Sequence, residues 1–343
     1  MTRNVDRLPL NIFVIRDGWS LSIGGELHPS IGYGELLAHA FRKEHSVTSI
    51  ITDGWSERIA VQAKSGRTLR SLCKVLTRVG ARIDREFARG VIDVSVDRNH
   101  RSIPVSPDLI VVIESAARAK FDFSKFQAPT AFVVTDPYIG FEEHTKEMGI
   151  QAYDYVFVTQ RDCVDKYKEA GCVNVQWLPP ACDPEIHRRV NVPSQFDVCF
   201  VGNIHPRWGT ERKRLLELVG KNFENHWFGQ NFRYGRRMTC LYSSSKIVFN
   251  KSILGELNMR VFEGLASASL LITDRIQNGL LELFSEKKDL ICYETDDELI
   301  SAIRYYLQHA EEREKIGRHG YRTVMKNHTF DDRARQIVNT MLP

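Results

Sequence analysis

Long hydrophobic runs are missing from this sequence: no segment approaches the roughly 18 apolar residues of a membrane span, and no integral membrane helix is expected. The opening stretch, MTRNVDRLPLNIFVIRDG, lacks the layout of a signal peptide, because its apolar run is short and ends in Arg16-Asp17. Cysteine is sparse. The seven thiols are scattered, odd in number and never spaced as C-x-x-C, which argues against a disulfide framework and suggests free thiols in a cytoplasmic protein. The eleven histidines show no metal-ligand spacing, so no metal site is expected. Neither a Walker A loop nor G-x-G-x-x-G occurs, and there is no internal repeat or low-complexity tract. Charge of one sign is also lacking: the net charge of +4 is a mild hint of anionic partners.

What is present is an ordinary globular composition, 43% hydrophobic and 26% charged, over 343 residues. That length exceeds what one core usually serves and suggests two domains. Short apolar strands alternate with amphipathic helices. In the first half the strands are LNIFVIR (10–16), VTSIIT (47–52), LIVVIE (109–114), TAFVVTD (130–136), YVFVT (155–159) and NVQWLP (174–179). They are apolar on both faces, as in a covered parallel sheet. Helices are expected over 33–43 and 161–171. The segment LPPACDPEIHRRVNVPSQ (178–195), with four prolines, reads as an interdomain linker. The pattern then restarts with strands at 196–202, 246–250, 270–274 and 289–294 and helices at 210–220 and 296–310, the last with Thr295 and Glu298 at capping-box spacing. The expected organisation is a first domain over 1–183, a linker over 184–195, a second domain over 196–326, and a C-terminal helix in 327–343 that could pack back on the first domain. This is α/β architecture with parallel sheets. Two doubly wound domains would face each other across a cleft, and ligands bind beyond the carboxyl ends of such strands.

The stretch NMRVFEGLASASLLITD (258–274) carries the first chemistry. Asn258 is placed as an N-cap, and Arg260 adds a cation to the open N–H groups of a helix start. Glu263, one turn on, is a poor partner for phosphate and a good acceptor for two neighbouring hydroxyls, such as those of ribose. Together they suggest a nucleotide diphosphate. The competing account is an i,i+3 ion pair of a few tenths of a kcal/mol. A second stretch, VGNIHPRWGTERKRLL (201–216), ends a strand at Gly202 and leads into a helix carrying Arg207 and Arg212. A small residue after a strand lets a ligand approach, and basic groups meet phosphate oxygens. A solvated basic helix face is the alternative.

Asp136 ends an apolar strand and precedes Pro137, where its carboxylate could take a proton from an attacking hydroxyl or merely cap a turn. His28, in the loop 18–34, is a rival base. Glu35 could orient a sugar or an acceptor, or simply suit the start of its helix. The tract Arg58–Arg82 holds seven Lys and Arg and no acid. It could meet DNA phosphates, a polyanionic glycan or a membrane surface, or be a solvated face.

The run 258–274, followed by E-L-F (282–284), Y-E-T-D-D-E-L (293–299) and N-H-T-F (327–330), resembles the C-terminal half of CgeB-like glycosyltransferases, and L-P-P-A-C-D-P (178–184) resembles the segment closing the first domain of such enzymes. The resemblance implies the GT-B fold, two facing Rossmann-like domains. It implies Glu263 on the donor ribose, and Arg260 and Arg212, with Arg207, on the pyrophosphate. The Glu-x7-Glu pair of many retaining relatives is not matched, since Gly255 stands eight residues before Glu263 and Glu256 stands seven before it. D-x-D, the metal signature of the other major glycosyltransferase fold, is absent. A fainter resemblance to phage DNA β-glucosyltransferases rests on R-V-F-E-G-L-A-S (260–267), F-V-V-T-D-P-Y (132–138) and Glu35, and implies Asp136 as general base.

The expectation is a metal-independent glycosyltransferase taking a nucleotide-diphosphate sugar, foremost a UDP-sugar, with no other cofactor. Its acceptor hydroxyl would lie on a cell-surface or spore-envelope glycan, or on hydroxymethylated pyrimidine in duplex DNA. HWFGQNFRYG (226–235) is placed as the base-recognition loop. A nucleotide-sugar epimerase of the same fold and a non-catalytic nucleotide-sugar-binding protein are the alternatives.

Overall fold

The structure is a computed structural model that describes residues 9–16, 20–23, 26–29, 32–51, 91–93, 106–114, 120–204, 206–229 and 236–343. The basic tract 58–82 lies outside these residues. The chain divides into two compact units: Met1–Thr159 with Cys163–Trp177 and Ile337–Pro343, and Gln160–Asp162 with Leu178–Gln336.

The strands in chain order are β1 (Asn11–Arg16), β2 (Ser20–Ile23), β3 (Glu26–Pro29), β4 (Ser46–Ile51), β5 (Val91–Asp93), β6 (Leu109–Ile113), β7 (Lys120–Asp122), β8 (Thr130–Val134), β9 (Tyr155–Val158) and β10 (Val175–Trp177), then β11 (Phe196–Val201), β12 (His226–Gly229), β13 (Ser245–Asn250), β14 (Leu270–Asp274) and β15 (Ile291–Tyr293). The helices used below are α1 (Tyr33–Glu44), α2 (Pro137–Glu142), α3 (Cys163–Glu169), α4 (Pro206–Asn222), α5 (Arg236–Ser243), α6 (Met259–Leu265), α7 (Leu280–Leu283), α8 (Asp296–Gln308), α9 (Ala310–Asn327) and α10 (Phe330–Met341).

The first unit is built on a six-stranded sheet in the order β10-β9-β8-β6-β1-β4, and the second on a five-stranded sheet in the order β12-β11-β13-β14-β15. The ladders of both are parallel. The reason is visible in the residues. LIVVI of β6, TAFVV of β8 and LLITD of β14 are buried at every position, so each needs cover on both faces. Crossover helices supply that cover, and crossovers make neighbouring strands parallel. Two doubly wound parallel sheets are the α/β arrangement anticipated from the alternation of strand and helix patterns.

In each sheet the strand order reverses once. From β1 the chain passes to β4 on one side and later to β6 on the other. From β11 it passes to β12 on one side and then to β13 on the other. The carboxyl ends beside β1/β6 and β11/β13 are therefore switch points, where diverging loops leave room for ligands.

Some local expectations change. The loop 18–34 contains an antiparallel pair, β2 with β3, in which His28 lies opposite Leu21. Four residues of HWFGQNFRYG form the half-buried edge strand β12, and 230–235 lie outside the described residues. The first half of the proline-rich stretch is packed against its surroundings. Leu178, Ala181, Cys182, Asp183 and His187 are buried within the second unit. Proline lacks a donor, so its neighbours pair with other segments: Cys182 exchanges backbone hydrogen bonds with His328 and Phe330, and Arg333 donates to the carbonyls of Pro179 and Pro180. The capping box at Thr295 and Glu298 forms and starts α8.

Candidate functional site

At the β11/β13 switch point of the second unit, two arginines close the sheet edge. Arg212 of α4 is 3% exposed. Its Nη1 donates to the Asn203 carbonyl at 2.8 Å, and its Nε and Nη2 donate to the Lys251 carbonyl at 3.0 and 2.7 Å. Arg260, in the first turn of α6, donates from Nε to the Val201 carbonyl at 2.6 Å and from Nη1 to Asn250 Oδ1 at 2.7 Å. Its guanidinium lies 4.2 Å from the centre of the Phe200 ring. Burial first, and then the Arg260 charge, lower Arg212 to about 10, so it remains a cation at neutral pH. Two neighbouring guanidinium groups make this edge attractive to an anion. They also explain Gly202: a Cβ there would overlap Nη2 of Arg260. The glycine leaves room for a neighbouring guanidinium at the end of β11.

Beside them, Asp274 at the end of β14 is spoken for. It accepts from the Ser252 amide at 2.8 Å, from the Ser252 hydroxyl, and from Lys251 Nζ at 3.0 Å. Glu263 differs. Its side chain is 11% exposed, and its nearest ionisable neighbour is His187, whose Nε2 lies at 3.7 Å, too far for a hydrogen bond. His187 Nδ1 accepts from the Asp183 amide at 2.9 Å, so the ring proton is on Nε2. Burial holds this imidazole below its ordinary pKa, which keeps it neutral. Arg260 and Glu263 do not form the i,i+3 ion pair that would have explained them away, because Arg260 turns to Val201 and Asn250. Among the described residues, no hydrogen bond reaches the Glu263 carboxylate.

One more polar group here lacks a partner among the described residues. Asn258 has the extended backbone of an N-cap, yet its side chain makes no cap bond, and both amide atoms are buried and unbonded. The Tyr242 hydroxyl of α5 is buried beside the Arg260 guanidinium and Glu263. Buried polar atoms without partners are rare in folded proteins and call for a ligand or a water. Arg207 lies on the backbone of α4, with its side chain outside the description.

The corresponding edge of the first unit is organised around carboxylates. Glu35, in the first turn of α1, pairs with Arg16 at 2.5 Å and Arg42 at 3.6 Å, so it is tied to its own unit at the end of β1. Glu114 follows β6. Its Oε2 accepts from the Thr135 amide, from the Thr135 hydroxyl at 3.0 Å and from the Asp136 amide at 2.7 Å. Its Oε1 lies 2.8 Å from His144 Nε2. Burial alone would raise Glu114, but the His144 bond and charge and the two amides outweigh it and hold the group below its ordinary value. Asp136, the N-terminal flank of α2, moves the other way. Its outer face reaches solvent, which tempers the effect, but crowding by its neighbours and then the Glu114 charge push it up to about 6. Two adjacent carboxyls with proton affinities driven apart is the arrangement expected where one takes a proton and the other stays charged.

Asp136 was marked by its place at a strand end. Glu114 and His144 were not, although Glu114 satisfies the same rule at the end of LIVVIE. His144 gave no periodic signal, because it sits in a π-helical turn, Glu143–Met148, following α2.

Residues 188–339, most of the second unit, match the family model described as glycosyl transferase-like. No curated protein matches the chain. Among solved structures the chain is similar to a glycosyltransferase from Rickettsia africae, at 12% identity and a TM-score of 0.57, covering 96% of this chain and 97% of that one. It is similar to HepE from Anabaena in complex with UDP and glucose, at 12% identity and a TM-score of 0.58, covering 96% and 99%. It is also similar to sucrose-phosphate synthase from Thermosynechococcus elongatus, at 12% identity and a TM-score of 0.54, covering 96% and 98%. These likenesses show a GT-B fold over nearly the full length.

Proposed function

We propose that the protein is a glycosyltransferase that moves a sugar from a nucleotide-diphosphate sugar, with UDP as the favoured nucleotide, to an acceptor hydroxyl. The observation that carries the reading is Glu263: an almost buried carboxylate, with no hydrogen bond from the described residues, at the carboxyl edge of a doubly wound sheet. A carboxylate that costs this much to desolvate fits a site completed by a ligand's donors, and two adjacent ribose hydroxyls match its two oxygens. The HepE complexes with UDP and with UDP-glucose make the uridine nucleotide the first to test.

In this reading the diphosphate lies near Gly202, Arg207, Arg212, Asn258 and Arg260. Arg212 acts as a brace with its donors on Asn203 and Lys251, while its charge and that of Arg260 stabilise the leaving group. The acceptor oxygen attacks the anomeric carbon and its proton passes to the Asp136 carboxylate. The bond from that carbon to the diphosphate oxygen breaks, and its electron pair leaves with the nucleotide. The fixed charges act without rearranging during the step. A base in this role predicts inversion at the anomeric carbon. For the acceptor, the broader of the two resemblances favours a surface or spore-envelope glycan. Duplex DNA would draw on the tract 58–82, and binding through four phosphates would weaken with salt at a slope of about −3.6.

The test is a panel of nucleotide sugars screened by thermal shift. A donor at a hundred times its Kd stabilises the fold by about 2.7 kcal/mol. The expected result is a shift with UDP and one or more UDP-sugars. A panel in which no nucleotide diphosphate moves the transition overturns the reading. A gel shift across a salt series decides between DNA and glycan acceptors.

A further inference from the structure

Beneath Asp136 lies a set of buried groups that the transfer step does not itself consume. Tyr167 of α3 is fully buried and His144 is 1% exposed. Burial, and after it the Glu114 charge, push the Tyr167 phenol far up, so it keeps its proton. Its oxygen lies 2.6 Å from His144 Nδ1. The other ring nitrogen, Nε2, lies 2.8 Å from Glu114 Oε1, and because a carboxylate can only accept, Nε2 is the donor. The second Glu114 oxygen takes the Thr135 and Asp136 amides and the Thr135 hydroxyl. The Thr135, Asp136 and His144 donors all converge on one carboxylate, and linked hydrogen bonds strengthen one another in a low-dielectric interior. Space is reserved for the chain as well: a Cβ on Gly140 would overlap the His144 ring and come within 3.0 Å of Glu114 Oε1.

We propose that Tyr167, His144 and Glu114 form a positioning chain that fixes the Thr135–Asp136 corner against the end of β6 and keeps an anion beside the Asp136 carboxylate. The inference rests on the reading of Asp136 as the base. Glu114 itself is a poor base, because three donors occupy the oxygen nearest the corner. Its part is to stay charged and make Asp136 the better proton acceptor. Among the described residues, the titratable groups facing Asp136 are Glu114 and His144. Those behind the chain are Tyr167 and Cys163 of α3 and Cys172 just after it.

The experiment follows the Asp136 carboxyl by carbon NMR in protein labelled at the aspartate carboxyl, with Asp136→Asn to assign the signal. It is paired with the pH profile of kcat. In Glu114→Gln, which keeps an acceptor and removes the charge, the Asp136 midpoint is expected to fall by about one pH unit. The acid limb of kcat should move with it while donor KM stays put. An unmoved midpoint overturns the proposal. If the midpoint moves but no donor supports transfer, the chain stands and the transferase reading fails, so the two are separable. Should Glu114→Gln not fold, the full-length wild-type protein gives the answer: the Thr135 and Asp136 amides, held by the Glu114 carboxylate, should exchange slowly with solvent. Rapid exchange of both amides, as in an open loop, overturns the proposal.

Discussion

The carboxyl edges of the two sheets solve opposite problems. In the first unit the carboxylates beside the β1/β6 switch point have partners of their own: Glu35 has two arginines and Glu114 has four donors. In the second unit the cations are satisfied largely by backbone carbonyls, while the Glu263 carboxylate and the Asn258 amide have no hydrogen bond from the described residues. A complete network that drives one carboxyl upward is suited to moving a proton. An incomplete one is suited to receiving donors and acceptors from outside. Fold alone would not separate these roles, because both units share one architecture. The difference lies in which polar groups are left over.

The sharpest way to break the comparison is at the first edge. Asp136→Asn keeps the shape of the side chain and removes its capacity to take a proton. Turnover is expected to fall by about 10²–10⁴-fold, with UDP affinity unchanged in a calorimetric titration. The wild-type pH profile gives a second check. The base must be unprotonated to act, and Asp136 is pushed up to about 6, so kcat should decline as pH falls through about 6. A profile flat down to pH 4, the range of an ordinary aspartate, removes Asp136 from the role.

Next in size is Gly202→Ala at the second edge. The new methyl overlaps Nη2 of Arg260, and displacing that guanidinium strips its bonds from the Val201 carbonyl and Asn250. A loss of about 2–4 kcal/mol in urea unfolding is expected, from overpacking and unsatisfied buried groups together. UDP affinity should drop with it. Undiminished stability would mean that Arg260 has room to move, and that this edge is not rigid.

Much of this was readable in the residues. Strands buried on both faces announce themselves by β-branched runs, and β14 appears over 270–274 as written in the sequence. Asp136 was legible because a strand end is a place in a fold. The buried first half of the linker was not, because its order comes from Arg333 and His328, roughly 150 residues away in the chain, and no local pattern encodes such a contact. His144 was hidden for the same reason: its partners Glu114 and Tyr167 come from other elements. Gly202 was legible as a glycine after a strand, while the Arg260 guanidinium above it was not, since spacing does not show which side chain fills that space.

The smallest expected effect is the most discriminating. Glu263→Gln should weaken UDP binding by about 1–3 kcal/mol, the range for losing hydrogen bonds to a charged group. Its effect on the free protein should run the other way. A structural carboxylate, like Asp274 with its lysine and serine, loses bonds when amidated and destabilises the fold. Glu263 has no such bonds to lose, and as a charge held 11% exposed it is costly to fold around. Its amide is easier to desolvate, so the unliganded melting temperature should hold or rise slightly while UDP affinity falls. If both decline together, Glu263 is a structural group with an overlooked partner. If stability holds and affinity also holds, the carboxylate lies outside the nucleotide site, and the contrast between the two edges loses its binding half.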